Sequence, residues 1–142
     1  MRVMISKLQL LGRTIKQAQY KHHRTMDSRL APIGSTMTQW DALRAISRQP
    51  GASAHKLAQA TFQTDQAFGT LANRLEAQGL IERRPGYGRR IEHHLTPEGQ
   101  RILEDGTVIA EEILNDSFKN LSEEERETLL NLLNKIIGED LT

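Results

Sequence analysis

The hydrophobic period of the chain changes at Gly79 and changes back at Thr96, and few folds accommodate that order. Before Gly79, Phe68, Leu71, Ala72 and Leu75 recur at helical spacing, which predicts a helix from about Asp65 to Gln78. Gly79 stands where a helix end favours a left-handed residue. From Leu80 the pattern becomes Leu-Ile-Glu-Arg-Arg84, a Pro85-Gly-Tyr-Gly88 turn and Arg90-Ile-Glu-His-His-Leu95, a predicted hairpin with a basic tip. Thr96-Pro97-Glu98 then restarts a helix: Thr caps, Pro tolerates the first helical position, and Glu favours the positive end of the dipole. Upstream, Pro50-Gly51 is a break, Ser53 an N-cap candidate and Lys56-Leu-Ala-Gln-Ala60 a short helix, followed by a turn at Phe62 to Thr64. A short helix, a turn and a longer helix make a helix-turn-helix in outline, and a hairpin follows it.

Two long amphipathic segments flank this block. Met4, Leu8, Leu11, Ile15 and Ala18 form one stripe of a first helix that runs to about Leu30, where Pro32 and Gly34 break it. Thr36-Met-Thr-Gln39 has the form of a capping box opening a helix from Thr38 to about Arg48, with Trp40, Leu43 and Ile46 inward; Trp40 is expected to be core. After Thr96 a long acidic helix carries Ile102, Ile109, Ile113 and Phe118. Ser122-Glu-Glu-Glu125 is a second capping box, opening a last helix with Leu129, Leu132, Leu133, Ile136 and Ile137 on a broad apolar face. The terminal helices carry more apolar surface than one subunit of this size covers, which argues for a partner chain; self-packing within one subunit is the competing reading.

Charge is unevenly placed. The net charge is +1, yet residues 1–31 hold seven Lys/Arg against one acid, and residues 98–142 hold twelve acids against four bases. Such asymmetry fits ends that attract, a face that meets a polyanion, or simply solvated helix faces. At 142 residues with 37% hydrophobic and 26% charged residues, the chain reads as one globular domain. Basic residues interrupt the apolar positions of the N-terminal stretch, which suits neither a signal-peptide core nor a membrane span, so the protein is expected in the cytoplasm. There is no cysteine, which removes disulfides, thiolate metal sites and thiol-based sensing.

Leu57-Ala58, Leu71-Ala-Asn-Arg74-Leu75-Glu76, Gly79-Leu-Ile-Glu-Arg-Arg84, Arg89-Arg90 and Leu95-Thr-Pro-Glu-Gly99 together resemble, in order and spacing, the multiple-antibiotic-resistance regulator (MarR) family. The resemblance spans nearly the whole chain and is most specific from Leu71 to Gly99. It implies a mainly α fold with a small β-hairpin wing, in which residues of about 1–31 and 98–142 form a dimerisation region and about 36–97 the winged helix-turn-helix lobe. It further implies a cytoplasmic homodimer that binds double-stranded DNA at a pseudo-palindromic operator, usually as a repressor. Family members are often released by a small aromatic or anionic effector held between the dimerisation helices and the lobes.

In such a lobe the recognition helix presents its first turn and one outward stripe to the major groove, here Thr64, Asp65, Gln66, Ala67, Thr70 and Arg74. By the resemblance, Gln66, Ala67 and Thr70 sit where family members touch bases. Gln pairs with an adenine edge, Ala and the Thr methyl meet thymine methyls, and Arg74 reaches phosphate. Asp65 is unfavourable beside phosphate and is expected to help cap the helix. On the wing, Arg89 matches the family's minor-groove arginine. Arg83, Arg84 and Arg90 are candidates for phosphate neutralisation. The family's wing carries Asp two residues before that arginine; Tyr87 stands there instead, in a slightly shortened loop, and either stacks on a sugar or packs on the wing.

Other chemistry finds little support. His22-His23 and His93-His94 are adjacent pairs that point to different faces and lack the spacing of a zinc helix, which leaves only a site assembled across a dimer. No metal or cofactor is expected. A phosphate loop, a nucleophile elbow and a paired-carboxylate site are all missing, so an enzyme is not expected. The competing functions are activation by displacing a nucleoid silencer, and a dimeric protein-interaction module that has lost DNA binding.

Overall fold

A computed structural model describes residues 3–138. In chain order it comprises α1 (Lys7–Leu30), a 3-10 turn at Ala31–Ile33, α2 (Met37–Arg48), α3 (Ala54–Ala60), α4 (Asp65–Ala77), β1 (Ile81–Pro85), β2 (Ile91–Leu95), α5 (Pro97–Ser117) and α6 (Glu123–Ile137). This is the expected order, with boundaries shifted by a few residues. Met4 lies ahead of α1, which opens at a capping box of Ser6 and Gln9 that the apolar stripe alone did not reveal.

Side-chain oxygens set the helix starts. Thr36, Ser53, Thr64, Thr96 and Ser122 each accept a hydrogen bond from the backbone N–H three residues on, satisfying a donor that the helix leaves free. At Ser122 the box with Glu125 is complete. At Thr36 it is half formed, because Gln39 turns inward, 5% exposed, instead of reaching back to the cap. Helix α4 is capped by Thr64, whose hydroxyl accepts from Ala67 N at 3.1 Å. Asp65, the first helical residue, places its carboxylate in the first turn, where the helix dipole favours it, and turns it to His55 on α3.

The core joins the lobe to the C-terminal end of α1 and the body of α5. Phe68, Leu71, Ala72 and Leu75 are buried, as are Trp40, Leu43 and Ile46 of α2, Leu30 of α1, and Ile102 and Ile113 of α5. Each large side chain so buried stabilises the fold by about 1.5–3 kcal/mol before ordering costs. β1 and β2 pair antiparallel from Ile81 opposite Leu95 to Pro85 opposite Ile91. The loop before α3 extends the sheet: Gly51 N donates to His93 O at 2.9 Å and His93 N donates to Ala52 O at 3.2 Å. Gly51 makes this turn with φ +83°, where a side chain would be strained.

His93 is a core residue at 2% exposure, its ring edge-to-face with Phe68 at 6.0 Å. Its Nδ1 lies 3.0 Å from Ala52 O, so that nitrogen carries the proton in the neutral ring. Burial, the largest influence, lowers its pKa from the ordinary 6.5. The folded state therefore favours the neutral ring, and stability present above the unfolded value is lost as pH falls through the folded one. Thermal melts should show the midpoint dropping on acidification below about pH 6.5, with about 1.4 kcal/mol lost per pH unit between the two values. His93→Leu should flatten that dependence; an unchanged slope would place the titration elsewhere.

Candidate nucleic-acid interface

The outward side of α4 is set by what the inward side buries. With Phe68, Leu71, Ala72 and Leu75 in the core, the opposite stripe of Thr64, Asp65, Gln66, Ala67, Thr70 and Arg74 is exposed. Thr70 Oγ1 donates to Gln66 O at 3.2 Å, which satisfies the hydroxyl and leaves the methyl for contact. Asp65 is held by His55, whose Nδ1 lies 3.0 and 3.1 Å from the two carboxylate oxygens. That pairing ties the first turn of α3 to the first turn of α4. Nothing in the spacing of His55 and Asp65, ten residues apart, signalled it.

The basic residues of the wing separate into free and engaged groups. Arg89 is exposed and has no hydrogen-bond or ion-pair partner among the described residues; Arg74 on α4 is in the same condition. Arg84 pairs with Glu82 at 2.7 Å on the same strand face, an exposed contact worth little but enough to balance its charge locally. Arg90 bends back, its Nη2 donating to Gly51 O at 3.0 Å, and with Lys56, Gln49 and Gln59 it lines an open polar cleft of about 630 Å³. Arg83 belongs to the scaffold. Its Nη2 donates to Asn73 Oδ1 and Glu76 Oε1, both at 2.8 Å, bracing β1 on α4. The bond from Arg83 holds the Glu76 carboxyl below its usual range, and Glu76 in turn raises the arginine. The expectation that Arg83 neutralises phosphate therefore gives way to a bracing role.

Tyr87 is 97% exposed, so it does not pack on the wing. The tip is shaped by Gly86 N donating to Arg90 O at 2.7 Å, and a Cβ at Gly86 would meet Glu92 Cγ at 2.8 Å. Two exposed features escaped the sequence reading. Lys56 stands at the start of α3, and Phe62, in the turn before α4, is 84% exposed with φ +59°. An aromatic in a turn reads as a core anchor in a sequence, and only its conformation marks it as unusual. No group of His, Cys, Asp or Glu suited to hold a metal is found among the described residues, and no helix among them is long and apolar enough to cross a membrane.

The helix-turn-helix, the basic hairpin and the long helices on either side define a winged-helix transcriptional regulator. The MarR family model matches residues 33–91. A curated relative, the transcriptional regulator HosA of Escherichia coli O111:H-, is 31% identical over 105 residues, covering 72% of this chain and 78% of that protein. Among solved structures, a probable transcriptional regulator from Pseudomonas aeruginosa is 30% identical with a TM-score of 0.79, covering 88% of this chain and 95% of the other. A MarR mutant from Escherichia coli, in complex with operator DNA, is 25% identical with a TM-score of 0.87 over 95% of this chain and 99% of the other. The chain belongs to the MarR family of transcriptional regulators.

Proposed function

We propose that the chain acts as a cytoplasmic homodimer that binds a pseudo-palindromic operator, each lobe placing α4 in a major groove and its wing in the adjoining minor groove. The observation that carries this reading is the exposure of Gln66, Ala67, Thr70 and Arg74 on one stripe of α4 and of Arg89 at the wing tip, while α4's other stripe is buried. Gln66, Ala67 and Thr70 read base edges, Arg74 meets phosphate, and Arg89 enters the minor groove. Thr64 and Asp65 shape the helix start. Arg84, Arg90 and Tyr87 act at the flank, where the two arginines add sequence-independent attraction and the Tyr87 ring lies against a sugar.

Residues of about 1–31 and 98–142 form the dimerisation region around the 36–97 lobe. Repression follows from occlusion of the promoter. A small aromatic anion suits the groove of about 530 Å³ along α1, where Tyr20 supplies a ring and Lys21 and Arg24 two cations, Arg29 being paired with Glu112 at 2.6 Å. Such an effector would act by favouring a lobe spacing that no longer matches the half-sites, to the extent that it binds that arrangement more tightly.

Fluorescence anisotropy on the protein's own upstream duplex and on a scrambled one, across a salt series, tests the reading. The native duplex should bind at least about a thousandfold more tightly than the scrambled one. Arg89→Ala should cost roughly tenfold or more on the native duplex. Equal, weak and steeply salt-dependent binding to both duplexes would refute sequence-specific regulation at that site.

A further inference from the structure

Phe62 combines two properties that the folded chain does not repay. Its φ of +59° places a bulky aromatic in the left-handed region that glycine and asparagine occupy most readily. Its ring, 84% exposed, is left largely to water. The conformation is not a loose end. Phe62 N donates to Gln59 O at 3.3 Å, Gln63 N to Ala58 O at 2.9 Å, and the Thr61 hydroxyl to Leu57 O at 2.7 Å, so hydrogen bonds hold the turn on both sides. A strained residue fixed by its surroundings, with its side chain presented outward, is the pattern found where strain serves a contact.

Position identifies the contact. Phe62 lies two residues before Thr64, the cap of α4, in the turn of the helix-turn-helix, and the N-terminal end of a recognition helix is the end that approaches base edges. A phenyl ring offers no donor and no acceptor, so it cannot read the polar code of the groove. It can cover the apolar features of duplex DNA, chiefly the thymine C5-methyl that projects into the major groove. We infer that Phe62 is a specificity-determining DNA contact, its ring placed by the left-handed turn against a thymine methyl at the entrance of α4 to the major groove. This rests on the DNA-binding reading above and adds to it a residue outside the helix stripe and the wing.

The strain predicts that stability and affinity move in opposite directions. Phe62→Gly removes both ring and strain and should raise the melting midpoint by a few degrees. Phe62→Ala removes the ring but keeps a β-carbon in the left-handed region. Both variants should bind a duplex selected by the wild-type protein from a random pool at least about fivefold more weakly. Single deoxyuridine-for-thymidine replacements along that duplex, each deleting one methyl, supply the direct readout. One position should cost the wild type about fourfold, the worth of one buried methyl, and cost Phe62→Ala nothing.

If the wild type selects no duplex, the DNA-binding reading falls and this one with it. If it selects one while Phe62→Ala matches its affinity and its deoxyuridine profile, the Phe62 contact alone is overturned, and the ring belongs to some other surface.

Discussion

Gly99→Ala is expected to lower stability by about 3 kcal/mol or more, a large share of the 5–15 kcal/mol that holds a typical domain together. A β-carbon at this position would lie 2.0 Å from Leu80 O and 3.0 Å from Leu80 C. Those are backbone atoms, and they cannot swing aside as a side chain does. Leu80 is held by its own N–H donating to Leu75 O at 3.0 Å and by a side chain that is 6% exposed. From the other side, Thr96 N donates to Leu80 O at 3.1 Å and Thr96 Oγ1 to Gly79 O at 2.6 Å, so the start of α5 is pinned to the end of α4. Relieving the clash means separating the two helix ends and breaking this group of hydrogen bonds. Thermal melts should show a midpoint roughly 10 °C lower. Gly69→Ala supplies the contrast: nothing lies within 4 Å of the added carbon, and helix propensity alone should leave that variant as stable as wild type or up to about 1 kcal/mol more so. Equal midpoints for the two variants would mean that the α4–α5 junction is not the close contact described.

This junction also shows why parts of the fold are legible in the sequence. The period change at Gly79 and the Thr-Pro-Glu restart are local signals, each produced by backbone chemistry within a few residues, so the order of elements followed from them. The buried stripe of α4 followed equally, because a helix has one geometry. What escaped were side-chain contacts between neighbouring elements, seven to ten residues apart, whose geometry no local pattern sets. The His55–Asp65 pair engages a carboxylate in the first turn of α4, and the bonds from Arg83 to Asn73 and Glu76 turned a DNA-facing candidate into a brace. Lys and Arg are alike on paper; only their neighbours reveal which charges are already engaged. Gln39 departed from its capping box to turn inward, 5% exposed, where its Oε1 has no partner among the described residues.

Leu132→Glu combined with Ile136→Glu is expected to dissociate the proposed homodimer and, with it, to weaken the proposed operator binding. The two residues lie four apart on α6, 50% and 62% exposed, and no residue of α6 is buried within the chain. α1 is in the same condition over its first turns: Leu8 is 81% exposed and Leu11 54%, and its only buried residues are Met26 and Leu30 near its end. Two apolar faces of this extent in one subunit call for a second copy to cover them. The charge pattern favours the same pairing, since the segment containing α1 is basic and the segment containing α5 and α6 is acidic. At Leu132 and Ile136 the carboxylates would replace apolar side chains on the face to be covered, and burying each there costs several kcal/mol. The double variant should sediment near 16.1 kDa, the mass of one chain, where the wild type sediments at twice that. Operator affinity should fall by a factor of about 10²–10⁴, because a lone lobe loses the effective concentration that linkage to the second half-site provides. Since α6 contributes nothing to the lobe core, far-ultraviolet circular dichroism should retain the helical signal of residues 36–97, separating dissociation from unfolding. A variant that remains dimeric with wild-type operator affinity would remove α6 from the interface.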